Sequence, residues 1–218
     1  MPIKAVAAAF MAVLICLFFG VLLYAELSIL TLNPNSIFWY VSRTSAILAY
    51  ILFFINIALG VGLKTRCFDR LAAPWQKLDL HHFTAFLATG FIFLHIFSLL
   101  GDQYLNFTLT QLLVPMASLF RPVWTALGVL AFYVLIIVML SSIVSKLIGK
   151  KTWRILHYLS YAAFFAILFH GIRSGTETQL GWTQTLYMVT GSIVVFMFLW
   201  RFLVGVKNIP AVKQTNPA

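Results

Sequence analysis

Long apolar runs are the feature of this chain that most restricts its fold. A helix needs about 20 mostly apolar residues to cross the hydrocarbon core of a bilayer, and the sequence offers several runs of that length in 218 residues. The composition agrees, because 62% of the residues are hydrophobic and only 9% are charged, whereas charged residues make up about 25% of a typical soluble domain. The sequence therefore predicts an integral membrane protein.

The apolar runs predict an all-α fold, namely an integral membrane six-helix bundle. No lengthy segment alternates polar and apolar residues in the way that the strands of a membrane barrel do. The predicted spans are Lys4–Tyr24, Phe38–Leu63, His81–Leu100, Pro122–Val144, Trp153–Ile172 and Trp182–Val206. Residues 1–30 are thus assigned to a first transmembrane helix, residues 38–206 to the main transmembrane domain and residues 207–218 to a short cytoplasmic tail.

Turn-forming and helix-breaking residues separate the predicted spans. They are Asn33-Pro34-Asn35, Ala73-Pro74, Gly101-Asp102, Gly149 and Gly175. One further apolar segment, Phe107–Phe120, is short and interrupted by Pro115. It predicts a re-entrant or interfacial segment on the side where the third span ends.

The first span has an alternative interpretation as a secretory signal, because Lys4 precedes its apolar run and the small residue Ala25 follows it. Its apolar run of about 20 residues is longer than the roughly 7–15 residues of a signal core. We therefore expect an uncleaved helix, and cleavage would leave the other five spans in place.

The basic residues predict the orientation in the membrane. If the N-terminus is cytoplasmic, twelve of the 15 lysines and arginines fall on the cytoplasmic side, and only Arg43, Arg121 and Arg173 fall outside. Such a positive-inside bias predicts a multi-pass protein of the cell (inner) membrane with both termini in the cytoplasm. The net charge of +10 is then explained by short turns beside lipid headgroups, and we expect no nucleic-acid partner.

Four histidines are the candidate cofactor ligands. His81 and His95 lie fourteen residues apart on the third span, and His157 and His170 lie thirteen residues apart on the fifth. At about 1.5 Å of rise per residue, each pair extends roughly 20 Å along its helix. Because both spans run in the same direction, His81 is level with His157 and His95 is level with His170. One imidazole from each helix can supply the two axial ligands of a haem iron at each level.

The angular placement supports the two pairs unequally. At about 100° per residue, fourteen residues bring His95 to within roughly 40° of His81, whereas thirteen residues leave His157 and His170 about 140° apart. His82 is an alternative to His81, since it has the same thirteen-residue separation from His95. A histidine can also simply bond a neighbouring helix or lie at the interface, although ionisable groups inside membranes are usually functional.

The doubled histidine spacing within six helices resembles the transmembrane domain of ferric reductases and NADPH oxidases. The segment from Trp153 to Tyr161, continuing to His170-Gly171, is especially similar, as is Leu80-His81, and the resemblance covers about residues 40–205. It implies a ferric reductase-like haem domain, that is, a cytochrome b with two b-type haems. His81 and His157 would then hold the iron of the inner haem, and His95 and His170 that of the outer one.

The resemblance is closest to stand-alone bacterial members, such as the haem subunit of periplasmic methionine sulfoxide reductase systems, because only Lys207–Ala218 follows the sixth span. It implies that FAD or FMN acts only through a partner, that a separate flavoprotein or quinol donates electrons, and that an acceptor lies on the outer side. Arg154, Arg173 and Arg43 are candidate partners of haem propionates, and each is also explained as a charge at a helix end.

The function predicted from these residues is transmembrane electron transfer through two haems, as an oxidoreductase component whose own enzymatic activity is left open. Two alternatives are a single-haem or flavin-binding membrane subunit of a periplasmic reductase system, and a non-redox small membrane transporter or assembly component. The transporter would be expected to pair acidic residues within its spans or to break helices around a central site.

Overall fold

The structure is a computed structural model that describes residues 34–65 and 74–204, and these residues form an all-α fold with no strand among them. The helices are α1 (Pro34–Thr65), α2 (Pro74–Gly101), α3 (Leu109–Leu113), α4 (Pro122–Ile143), α5 (Ser145–Ser174) and α6 (Gly181–Val204), with a 3₁₀ turn at Glu177–Gln179. The predicted fold class is confirmed. The first predicted span, Lys4–Tyr24, lies outside the described residues.

Five of these helices are long and apolar enough to cross a membrane, and they contain the segments Ile37–Leu63, Gln76–Gly101, Pro122–Ile143, Ser145–Ser174 and Gly181–Arg201. Large apolar side chains point away from the bundle, such as Phe86, Met188 and Phe196, each more than half exposed. This is the surface expected of a helix that faces lipid. The chain is therefore a multi-pass membrane protein.

Two helices begin seven or eight residues earlier than the sequence predicts, and α1 begins at Pro34, four residues before the predicted Phe38. α2 begins at Pro74, seven residues before His81, and α5 begins at Ser145 rather than at Trp153. A membrane helix can continue past the hydrocarbon core, so an apolar run marks the membrane-spanning part and not the end of the helix. Gly149 still interrupts α5, because its φ of 79° and ψ of 154° are not helical. As a result, the histidines lie further inside their helices than we expected.

The segment Phe107–Phe120 does not form a spanning helix, in agreement with its short and broken apolar pattern. Its only helix is α3, whose start is capped reciprocally by the Thr108 and Gln111 side chains. Leu119 is 89% exposed, whereas Phe107 and Leu112 are buried. The segment thus presents one side to the bundle and the other outwards, beside the ends of α2 and α4.

The bundle is built from two helix pairs, since α1 packs along α2 and α4 packs along α5, while α6 contacts α1 and α5. The buried apolar core lies where α1, α5 and α6 meet. Its members are Tyr50, Phe53, Ile57, Val61, Tyr161, Ala163, Phe164, Leu168 and Val194. A hydrogen bond of 2.5 Å between Tyr50 Oη and Thr190 Oγ1 joins α1 to α6 within this core. This packing fixes the rotation of α5, which carries two of the histidines.

Candidate functional site

The first histidine pair joins α2 to α5. The ring centroids of His81 and His157 lie 6.1 Å apart, with 60° between the ring planes. Two imidazoles that each place a nitrogen about 2 Å from one metal ion have centroids roughly 6 Å apart. The observed separation therefore matches two ligands on opposite sides of a single metal centre.

The second pair lies at the other end of the bundle, where His95 and His170 line one cavity of about 230 Å³. α1, α2, α4 and α5 all contribute to its walls. Most of the lining is apolar or aromatic, including Phe53, Phe107 and Phe132. An apolar cavity that two imidazoles enter from different helices provides a low-dielectric environment for a flat, largely apolar cofactor.

Hydrogen bonds to backbone carbonyls orient three of the four imidazoles. His81 Nδ1 lies 3.1 Å from the Asn56 carbonyl oxygen, and His170 Nδ1 lies 2.7 Å from that of Trp124. His95 Nδ1 lies 2.9 Å from the Ser42 carbonyl oxygen and 2.9 Å from Ser42 Oγ.

A carbonyl oxygen only accepts, so Nδ1 carries the proton in each of these three rings and donates it. Nε2 is then left with a free electron pair. This tautomer, with one ring nitrogen held by an outer acceptor, is the arrangement of histidines that bind metals. His157 differs from the other three, since its buried Nδ1 has no hydrogen-bond partner in the described part of the chain. It stacks on Trp153 at a centroid distance of 5.1 Å.

Two glycines make room for the imidazoles. A Cβ added at Gly128 in α4 would lie 2.6 Å from His170 Nδ1, and one added at Gly60 in α1 would lie 3.3 Å from His81 Cε1. Real Cβ atoms essentially never approach another heavy atom closer than 3.0 Å. His170 can therefore occupy its position only because residue 128 lacks a side chain, and this glycine brings the backbone of α4 within reach of its ring.

The two histidines of α5, thirteen residues apart, point in different directions, and each contacts a different neighbouring helix. His157 faces α2 through its contact with His81, whereas His170 is held by Trp124 of α4. A difference of about 140° around the helix is what thirteen residues produce. No distortion of α5 between the two histidines is needed, because a different helix meets each ring.

His82 has a different environment from His81. Its side chain is exposed, whereas the side chain of His81 points to Asn56 and His157. The geometry therefore favours His81 as the residue that pairs with His157. Adjacent residues on a helix point about 100° apart, and of these two histidines His82 is the one directed outwards.

The structure brings one of the three candidate arginines to a histidine pair. Arg43 lines the cavity of His95 and His170. Its guanidinium lies 2.6 Å from Glu177 Oε1 and stacks on Trp39 at 3.3 Å from the ring centroid. Arg154 is exposed on α5. Arg173 is exposed as well, and it lines a separate cavity, where it lies over the Trp124 ring.

Polar atoms without partners collect at the Arg43 end of the same cavity. Asp102 is 2% exposed, and although its Oδ1 accepts a hydrogen bond from the Tyr104 backbone N–H at 3.1 Å, its Oδ2 has no partner. Ser174 Oγ is likewise buried without a partner in the described chain. Both residues line the cavity. Tyr104, two residues further along the chain, is 83% exposed.

Sequence reasoning missed the residues that hold the imidazoles in place. Ser42, Asn56 and Trp124 act through backbone carbonyls, which every residue possesses, so no residue type marks them. Lys77 is a further finding, since it is 4% exposed within α2 and lies one turn before His81. A buried basic residue one turn from a histidine is a detectable signal, because charges inside membrane proteins are rare and functional.

The arrangement suits a metal centre that takes only two ligands from the protein. No group of three or more histidine, cysteine, aspartate or glutamate residues comes together in residues 34–65 and 74–204, so these side chains alone do not form a metal-ion cage. A haem iron needs only two axial ligands, because the porphyrin supplies the other four. Two separated imidazole pairs, in which His81, His95 and His170 have a free Nε2, fit that requirement.

No protein-family model, curated protein or solved structure matches the chain.

Proposed function

We propose that the chain is a transmembrane electron-transfer cytochrome with two b-type haems, one at each histidine pair. The observation that carries this proposal is the set of Nδ1–H bonds to backbone carbonyls, which leaves Nε2 of His81, His95 and His170 free to bind iron. Hydrogen bonds of this kind are typical of metal-ligating histidines. A histidine that merely bridges two membrane helices has no need of a partner imidazole facing it.

In this proposal His81 and His157 hold one haem, and His95 and His170 hold the other. Haem supplies reversible one-electron chemistry when it is bound. Two imidazoles at each site leave no coordination position open, which favours electron transfer over oxygen binding. Backbone carbonyls hold the imidazoles of His81, His95 and His170 in a fixed orientation.

Two basic residues, one buried and one partly exposed, support the same assignment. Lys77 lies one turn before His81, and Arg43 lines the cavity of His95 and His170. Haem propionates are carboxylates that need a positive charge or a hydrogen-bond donor when they are withdrawn from water. Arg43 already binds Glu177, so a propionate at this end would share the guanidinium with that carboxylate.

The direction of transfer follows from the distribution of basic residues. We propose that the end with His81 and His157, and both termini, lie on the cytoplasmic side of the cell membrane, and the twelve-to-three bias of basic residues supports this orientation. We propose that a separate flavoprotein or quinol delivers electrons, and that an acceptor on the outer side receives them near His95 and His170. The resemblance to ferric reductase-like transmembrane domains supports this assignment, with FAD or FMN confined to the partner.

Electron transfer across a sealed vesicle tests the proposal. We would reconstitute the haem-loaded protein into liposomes that contain ferricyanide and add dithionite outside. The wild-type protein should bleach the internal ferricyanide, whereas His95→Ala and His157→Ala should each reduce the rate to that of empty liposomes. His82→Ala is the matched control, since it removes an exposed histidine of α2 and should retain the wild-type rate. Equal rates in wild-type and His95→Ala vesicles would refute the proposal.

A further inference from the structure

Two arginines that the histidine pairs do not use lie together at the bundle end that holds His95 and His170. Arg121 precedes the first turn of α4, and Arg173 lies in the last turn of α5. The Arg121 guanidinium donates a hydrogen bond to the backbone carbonyl of Arg173. The Arg173 guanidinium lies over the Trp124 ring, 4.8 Å from its centroid. The two side chains are thus held beside each other at one point of the surface.

Neither guanidinium has an acidic partner within the described residues. The ion pair between Arg43 and Glu177 involves neither of them, and the other contact of Arg121 is with the Phe120 ring, 5.3 Å from the centroid. Both arginines are exposed. Two neighbouring positive charges repel each other unless an anion lies between them, and arginine is the side chain best suited to bind phosphate through paired N–H groups.

A cavity of about 460 Å³ opens between these arginines. Its lining consists of Arg121, Pro122, Val123, Trp124, Ile172 and Arg173, and it shares no residue with the lining of the histidine cavity. The volume is within the range of about 300–1,000 Å³ that small-molecule sites occupy. Charged groups and apolar side chains therefore meet in one cavity, which is the surface that an amphiphilic molecule requires.

The position of the cavity points to the source of the anion. Arg121 and Trp124 begin one spanning helix and Arg173 ends another, so the cavity lies where a membrane meets its headgroups, the level at which tryptophan is enriched. The N-terminus of the 22-residue α4 adds the positive end of a helix dipole. Apolar Val123, 59% exposed, and Ile172 extend the site towards the lipid tails.

We propose that Arg121 and Arg173 form a binding site for a phosphate group, supplied by the headgroup of an anionic phospholipid. The two guanidiniums contact the phosphate, and the apolar side chains contact the glycerol and the upper part of the acyl chains. Zwitterionic phosphatidylcholine carries the same phosphate, but its cationic choline group is repelled by the two arginines. Phosphatidylglycerol has no such cation, so the site should select it.

Native mass spectrometry with defined lipids tests this site. The protein would be released from detergent with equal amounts of phosphatidylglycerol and phosphatidylcholine of the same acyl chains. The wild-type protein should retain one phosphatidylglycerol, and Arg121→Gln with Arg173→Gln should lower its preference over phosphatidylcholine about 10- to 30-fold. The matched control is Lys150→Gln with Lys151→Gln, which removes two charges from exposed side chains of the opposite end and should preserve the preference.

Arg173→Gln alone provides a second variant, because the Arg121 side chain also binds the backbone and its loss can affect folding. This single change should lower the preference about fivefold. An unchanged preference in Arg173→Gln, or an equal loss in the control variant, would overturn the proposal. Inorganic phosphate at millimolar concentration should not displace the lipid. Displacement by phosphate would assign the site to the free anion and refute the lipid as its source.

Discussion

Replacing Gly128 with alanine tests the His95 and His170 site with a single methyl group. The added Cβ would lie 2.6 Å from Nδ1 and 2.7 Å from Cε1 of His170, whereas ordinary van der Waals contact begins at 3.4 Å. The imidazole must therefore retreat by about 0.8 Å, since steep repulsion prevents a closer approach. Because Nδ1 lies 2.7 Å from the Trp124 carbonyl oxygen, a shift of this size is enough to break that hydrogen bond.

The expected loss follows from the role of this hydrogen bond. Removing the outer partner of a metal-ligating histidine typically weakens metal binding by about 10- to 100-fold. The displaced ring also meets a tightly packed helix interface, where overpacking costs about 1–3 kcal/mol. We therefore expect Gly128→Ala to bind one haem as tightly as the wild-type protein and the second about 10- to 100-fold more weakly.

Haem titration of the apoprotein, followed by absorbance, measures both binding steps. Gly90→Ala is the matched control, because an added Cβ there meets no heavy atom within 4 Å and residue 90 lies about 140° around α2 from His95. It should bind two haems like the wild-type protein, and alanine should stabilise the helix by about 0.5–1 kcal/mol. Wild-type binding of both haems by Gly128→Ala would refute the reasoning.

Three further predictions follow from the same geometry. His81→Ala should remove one haem per chain, and exposed His82→Ala should remove none; loss of haem in both variants, measured by pyridine haemochrome, would contradict the assignment. A double-mutant cycle of Arg43→Gln and Glu177→Gln, measured by thermal unfolding, should give a coupling energy of about 1 kcal/mol for this partly exposed pair. A coupling energy of zero would show that the ion pair does not stabilise the fold. The haem at His157, whose Nδ1 has no acceptor within the described residues, should pass first to a haem-scavenging protein; earlier loss of the other haem would contradict this order.

The sequence predicts the membrane helices well but not where they end. Apolar residues mark the part of a helix that lies in the hydrocarbon core. Two helices begin close to where their apolar runs begin: α4 begins at the predicted Pro122, and α6 begins one residue before its predicted start. α2 instead begins at Pro74, because Gln76 and Lys77 continue the helix without belonging to an apolar run. Helix propensity and proline placement decide such ends, and hydropathy does not record them.

The histidine pairs could be predicted from spacing, but their supports could not. Which backbone carbonyl meets a ring depends on the rotation of neighbouring helices, and that rotation is decided by packing such as the Tyr50–Thr190 contact. The rotation of neighbouring helices also decides that Arg43 and Arg173 line different cavities. Both were candidates at the outer end of their helices, yet only the side chain of Arg43 enters the histidine cavity. The spacing of residues along one helix predicts how deep each side chain lies in the membrane. It does not predict which neighbouring helix that side chain contacts.

The number of haems per polypeptide tests the central claim most directly. The protein would be purified from haem-replete cells, its haem measured by pyridine haemochrome and its polypeptide by amino-acid analysis. The account predicts about two b-type haems per chain, because each histidine pair supplies both axial ligands of one iron, and about one haem in His95→Ala or His170→Ala. A colourless protein, or a haem content that the two substitutions leave unchanged, would contradict it.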